Sequence, residues 1–180
     1  MNFDFKQLIR EVPDWPKKGV NFKDITTLLE DADAFRIVID KLCEVYEGQK
    51  IDKVVGIDAR GFLFAGAMAY KLGAGVSVVR KKNKLPYKTK SREYTLEYAS
   101  ETIEMHEDTI KPGESVVVVD DLVATGGTLN AAAELVEEME GDIVGVSCII
   151  DLPFLGGSAK LEEKYKFNYL VRCEAEKENE

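Results

Sequence analysis

The sequence predicts an α/β fold of three layers, with helices on both faces of a largely parallel, twisted sheet. Two observations predict it. Apolar runs without strand-type alternation, "KVVGID" (53–58), "VVVV" (116–119) and "IVGVSCIID" (143–151), read as strands buried on both faces. Segments with helical spacing separate them, the order of a parallel sheet covered by helices. The 180 residues, 45% of them hydrophobic, suit one domain with a sizeable core.

Taken in order, Phe5, Leu8, Ile9 and Val12 follow helical spacing up to Pro13 and predict a first helix. "PDWPKKGVNFKDIT" (13–26) has no period and is expected to be irregular. Phe35, Val38, Ile39, Leu42 and Tyr46 share a face of a second helix that Gly48 would end. After the strand at 53–58, the small-residue run 60–73 reads as a helix and "GVSVVRK" (75–81) as a strand. Residues 82–101 carry no strong period, and 102–108 read as an exposed strand bearing His106, a surface residue, before the turn at Pro112-Gly113. Leu129, Ala132, Ala133, Val136 and Met139 mark a helix, 158–165 a shorter one and 168–173 a last strand, with a solvated tail beyond.

A net charge of −9 disfavours a nucleic-acid partner. No stretch approaches the roughly 20 apolar residues of a membrane span, and the first residues lack a secretory pattern, so a cytoplasmic protein with no membrane partner is expected. Cys43, Cys148 and Cys173 lie in apolar patterns that suit buried thiols rather than a disulfide or a zinc site. Basic residues concentrate in 80–92, which holds seven of the 24 Lys and Arg and no acid. That run suits a small anion.

Ligands of such sheets bind beyond the carboxyl ends of the strands. Those ends carry Asp58-Ala59-Arg60, Arg80 to Lys84, and Asp120 to Thr128. In the last, Ala124, Thr125, Gly126, Gly127 and Thr128 offer bare backbone and hydroxyls before a helix, a phosphate cradle. No lysine completes a Walker A loop. Asp120 and Asp121, placed at the exposed end of the strand, would repel phosphate, so they suit hydroxyl groups or a magnesium ion.

"VVVVDDLVATGGT" (116–128) resembles the phosphoribosyl-diphosphate (PRPP) binding motif of the type I phosphoribosyltransferases. With "PDWPKKGVNFKDIT", "GIDARGFLF", "RKKNKLP" and "YTLEY" in the same order, nearly the whole chain is similar to the adenine phosphoribosyltransferase family. The resemblance implies that fold with a small hood from about residues 1–30 and a mobile loop over about 83–100. It implies conversion of adenine and PRPP to AMP and pyrophosphate, with Mg²⁺, in a homodimer. Residue by residue, it gives Ala124 to Thr128 to the 5′-phosphate and Asp120 and Asp121 to the ribose hydroxyls. Asp58, Ala59, Arg60, Arg80, Lys81 and Lys84 go to pyrophosphate. Phe22 and Leu152 would sandwich adenine, with Asn21 and Lys23 at its edge, and Glu97 and Tyr98 would close over the reacting centre, Glu97 as the base. Lys23 stands where many relatives have Arg. A cis or otherwise unusual peptide bond is implied at Asp58-Ala59. The alternatives are a 6-oxopurine transferase, against which stands the lack of any Lys or Arg between Thr128 and Lys160, and a non-catalytic PRPP sensor.

Overall fold

The apolar runs become the middle of a seven-stranded sheet in a computed structural model that describes residues 4–95 and 100–174. In chain order, a tight 3-10 turn at Phe5–Leu8 leads to β1 (Arg10–Val12), which pairs antiparallel with β2 (Phe22–Asp24). The expected first helix is therefore a single turn: Asp4 caps it from Lys6, and Ile9 is already extended. The expected irregular segment ends in a strand. Its turn is fixed by Asp14, which accepts a hydrogen bond from the Gly19 amide at 2.7 Å.

Next come α1 (Thr26–Glu30) and α2 (Ala32–Glu44), the latter capped by Asp31 through the amides of Asp33 and Ala34. Then follow β3 (Lys53–Ile57), α3 (Gly61–Leu72), β4 (Gly75–Lys81), β5 (Thr89–Thr95) and β6 (Ser100–His106). The remainder is β7 (Ser115–Val123), α4 (Gly127–Glu138), β8 (Asp142–Asp151), a 3-10 turn at Pro153–Leu155, α5 (Gly157–Glu162) and β9 (Phe167–Arg172).

The sheet order is β5-β6-β4-β3-β7-β8-β9. Strands β4, β3, β7, β8 and β9 run parallel, while β6 is antiparallel to both β4 and β5. Helices α2 and α3 cover one face, where Leu42, Phe64 and Met68 pack with Val54 and Val117. Helix α4 covers the other, where Leu129, Ala132 and Leu135 pack with Val55 and Val118. These are the three layers the sequence predicts. Cys43, Cys148 and Cys173 are all buried thiols. Among the described residues no helix is long and apolar enough to cross a membrane.

Two expectations for 82–108 change. Residues 89–95 form a strand, two of whose charged side chains are engaged by α4: Lys90 pairs with Glu138, and Arg92 with Glu134 and Glu138. Strand β6 is internal to the sheet, with Ile103, Glu104 and Met105 buried. His106 is accordingly half-buried, its ring beside Tyr87 at 6.1 Å.

Candidate active site

Strands β3 and β7 are neighbours whose following helices leave on opposite faces, which opens a crevice at their carboxyl ends. The chain leaves β3 through a cis Asp58-Ala59 peptide bond, as expected, and enters α3 after Arg60. Asp58, Ala59, Arg60, Arg80, Lys81, Asp120, Asp121 and Thr128 all line one cavity of about 300 Å³. Three sequence-distant stretches thus converge.

The carboxylate pair does not sit at an exposed strand end. β7 continues through Val123, Asp120 stands opposite Cys148 of β8, and Asp121 is only 7% exposed. The reason is that the ladder with β8 runs past the valines. Burial, and then the charge of Asp121, push the Asp120 carboxyl well above the usual carboxylate range, against the pull of the Asp121 amide that donates to it. Arg60 donates from Nε to Asp121.

The loop at 124–128 is braced from both sides. Gly126 takes a left-handed conformation at φ 77° and caps α4. Its carbonyl accepts from both the backbone amide and the side-chain amide of Asn130, each at 2.9 Å, which directs that oxygen into the helix. The first amides of α4 have no partner within the helix, an arrangement that can receive an anion. Behind the loop, Gly157 donates its amide to the Ala124 carbonyl at 3.1 Å. A Cβ on Gly157 would lie 2.3 Å from that oxygen and 2.4 Å from the Gly126 nitrogen. Neither Asn130 nor Gly157 was read from the sequence. Asn130 had a signal, since it stands four residues after Gly126, where a helix meets its first carbonyl.

Every cation of the cavity is held by an acid: Arg60 by Asp121, Arg80 by Asp58 at 2.9 Å, and Lys81 by Glu101 at 3.0 Å. The Lys81 ammonium keeps the Glu101 carboxyl below its ordinary range, with the Tyr94 hydroxyl adding to the effect and burial opposing it. Tyr94 and Glu101 also line the cavity and were missed by the sequence reading, although they flank the "TLEY" stretch. Lys84 does not line it; its carbonyl accepts from Arg80.

On the two-stranded ribbon, Phe22 meets Trp15 edge-on at 4.5 Å, and the Arg60 guanidinium lies 5.9 Å from the Phe22 ring centre. Asn21 and Lys23 alternate with Phe22, and both bond to Glu11, the cross-strand partner of Lys23. Lys23 is thereby neutralised on the side away from Phe22. Leu152 sits beyond β8, its amide bonded to the Val123 carbonyl, outside the 300 Å³ cavity. Glu97 and Tyr98 lie outside the described residues.

Among the described residues no group of three or more His, Cys, Asp or Glu is placed to hold a metal. Asp120 and Asp121 alone fit an ion carried mainly by ligand oxygens, the usual manner of magnesium.

The Phosphoribosyl transferase domain family matches residues 24–178. The adenine phosphoribosyltransferase of Trichlorobacter lovleyi is 54% identical over 160 residues, 89% of this chain and 94% of that protein. The crystal structure of adenine phosphoribosyltransferase from Thermoanaerobacter pseudethanolicus superposes with a TM-score of 0.89 at 46% identity, covering 94% of this chain and 98% of that one. That of Trypanosoma brucei, in complex with AMP, pyrophosphate and ribose-5-phosphate, has a TM-score of 0.85 at 26% identity, covering 93% of this chain and 78% of that one.

Proposed function

The chain belongs to the adenine phosphoribosyltransferase family, and from that membership we propose how its own residues perform the family's reaction. It transfers the phosphoribosyl group of PRPP to N9 of adenine, giving AMP and pyrophosphate. The observation that carries the assignment of residues is the convergence of the cis turn, the basic end of β4 and the acidic end of β7 on one cavity beside the braced loop.

The 5′-phosphate lies on the amides and hydroxyls of Ala124 to Thr128. Asp120 and Asp121 accept hydrogen bonds from the ribose hydroxyls, and Arg60 passes from Asp121 to the pyrophosphate. Arg80 and Lys81 bind the same group, with the backbone of Asp58 and Ala59. As pyrophosphate departs, positive charge develops at C1′, which the buried carboxylates stabilise. Asp120 and Asp121 would help to hold a magnesium ion, which would supply charge neutralisation for the leaving group. Phe22 stacks on adenine once Arg60 has moved, Leu152 packs on the other face, and the backbone of Asn21 reads the 6-amino edge. Glu11 keeps the Lys23 ammonium from that edge, so no cation meets a 6-oxo group. A cytoplasmic setting belongs to the same reading.

The deciding experiment follows PRPP consumption with adenine, hypoxanthine, guanine and xanthine in parallel. Turnover is expected with adenine far above the others. Equal rates with hypoxanthine would overturn the assignment of the base subsite.

A homodimer is part of the proposal, and α3 supports it. Lys71 is the only charged residue among its twelve, yet Leu63 is 50% and Tyr70 92% exposed, and nothing lies within 4 Å of a Cβ built on Gly66. A helix apolar on all sides is normally covered. In light scattering the protein should have the mass of two chains, and Leu63→Glu with Tyr70→Glu should reduce it to one. A dimer that survives both substitutions would remove α3 from the interface.

A further inference from the structure

The three cation–acid pairs of the cavity are not equivalent. Asp121 and Asp58 belong to the ribose and pyrophosphate subsites, whereas Glu101 has no place in either. Yet it lines the same cavity, and its side chain is only 33% exposed. One carboxylate oxygen accepts from Lys81 Nζ at 3.0 Å and the other from the Tyr94 hydroxyl at 3.1 Å. Tyr94 stands directly across from Glu101 in the β5–β6 ladder, so the carboxylate is fixed from behind. β6 in turn pairs with β4, which carries Lys81. A carboxylate aimed into a cavity that receives pyrophosphate opposes that ligand by like charge. Its position calls for a function.

We propose that Glu101 is a positioning residue that holds Lys81 in the empty pyrophosphate subsite and competes with pyrophosphate for its ammonium group. The inference rests on the assignment of Lys81 to pyrophosphate made above. When the anion enters, Lys81 exchanges one acidic partner for another and loses little additional side-chain freedom. When the bond to pyrophosphate has broken at C1′, Glu101 takes the ammonium back and the product leaves. The device sacrifices part of the attraction to the anion in return for faster release. It also ties a lysine whose side chain is 62% exposed to one place on the cavity wall.

The test is equilibrium and stopped-flow binding of pyrophosphate, with Mg²⁺ present, to the wild type, Glu101→Gln, Lys81→Met and the double variant. Glutamine keeps the side-chain shape and an oxygen for Tyr94. Glu101→Gln is expected to tighten pyrophosphate binding by about three- to tenfold, the scale of one exposed ion pair plus one removed repulsion, seen as slower dissociation. Lys81→Met should weaken binding, and in the Lys81→Met background Glu101→Gln should tighten it by clearly less than in the wild type, since only the removed repulsion is left. A purely structural Glu101 would not produce tighter binding. If Lys81→Met weakens binding but Glu101→Gln leaves it unchanged or weaker, the role of Glu101 is refuted and the assignment of Lys81 stands. If Lys81→Met itself changes nothing, both are overturned.

Discussion

Replacing Gly157 with alanine is expected to raise the dissociation constant for PRPP about a hundredfold or more while the central sheet stays folded. The added methyl group would meet backbone, not a flexible side chain: the Ala124 carbonyl at 2.3 Å, the Gly126 nitrogen at 2.4 Å and the Thr125 carbonyl carbon at 2.6 Å. Heavy atoms cannot share that space, so either the loop or the start of α5 must shift by about an ångström. A displacement of that size in a positioning element costs about a hundredfold in catalysis. The loop is the softer of the two, because it is held by the Gly157 amide itself and by Asn130. Equilibrium PRPP binding and thermal melting on the same sample check the result. Binding within a few-fold of the wild type would show that the cradle tolerates a moved Gly157, and that its geometry is set elsewhere.

Glu97→Gln is expected to lower the rate of AMP formation in a single turnover by about 10²–10⁴, the usual contribution of a positioned base. Residues 96–99 connect β5 to β6, whose last register pair is Thr95 and Ser100, and the neighbouring Tyr94 and Glu101 line the cavity. The assignment of Glu97 as base rests on the resemblance, and glutamine preserves its size but not its basicity. PRPP affinity should hardly change, since the phosphate loop and the β7 acids lie on other elements. If the chemical step in Glu97→Gln remains within a few-fold of the wild type, the base lies elsewhere and the connection serves to exclude water.

Legibility in the sequence followed the length and surroundings of each element. β3, β7 and β8 are buried on both faces, and a continuous apolar run suffices to mark them. β1 and β2 are three residues each, too short for any period, and the apolar spacing of Phe5 to Val12 fits a helix equally well. β5 could not be read locally because what gives its charged residues a place is α4, some forty residues later in the chain. The candidate site was legible where chemistry dictates residue type, as at Asp120, Asp121 and the loop glycines. It was illegible where a residue acts by shape or by holding another. Gly157 serves through the absence of a side chain, and Glu101 through its grip on Lys81. Glu11 likewise fixes Asn21 and Lys23 from an adjacent strand. The placing of the acid pair at an exposed strand end missed its depth, because the extent of the β7–β8 ladder is a property of two strands together.

Arg60 touches both Asp121, which we assign to the sugar, and the ring of Phe22, which we assign to the base. The two recognition surfaces are therefore not separable modules. Remodelling Phe22 to admit another heterocycle also changes the environment of the guanidinium, and with it the hold on Asp121. Any shift in base preference along a lineage, or at the bench, must be accompanied by retuning of sugar recognition, and the reciprocity of linked equilibria makes the obligation run in both directions. Such coupling narrows the accessible routes from an aminopurine enzyme to one with a different base to those in which the hood and the α3 entrance change together.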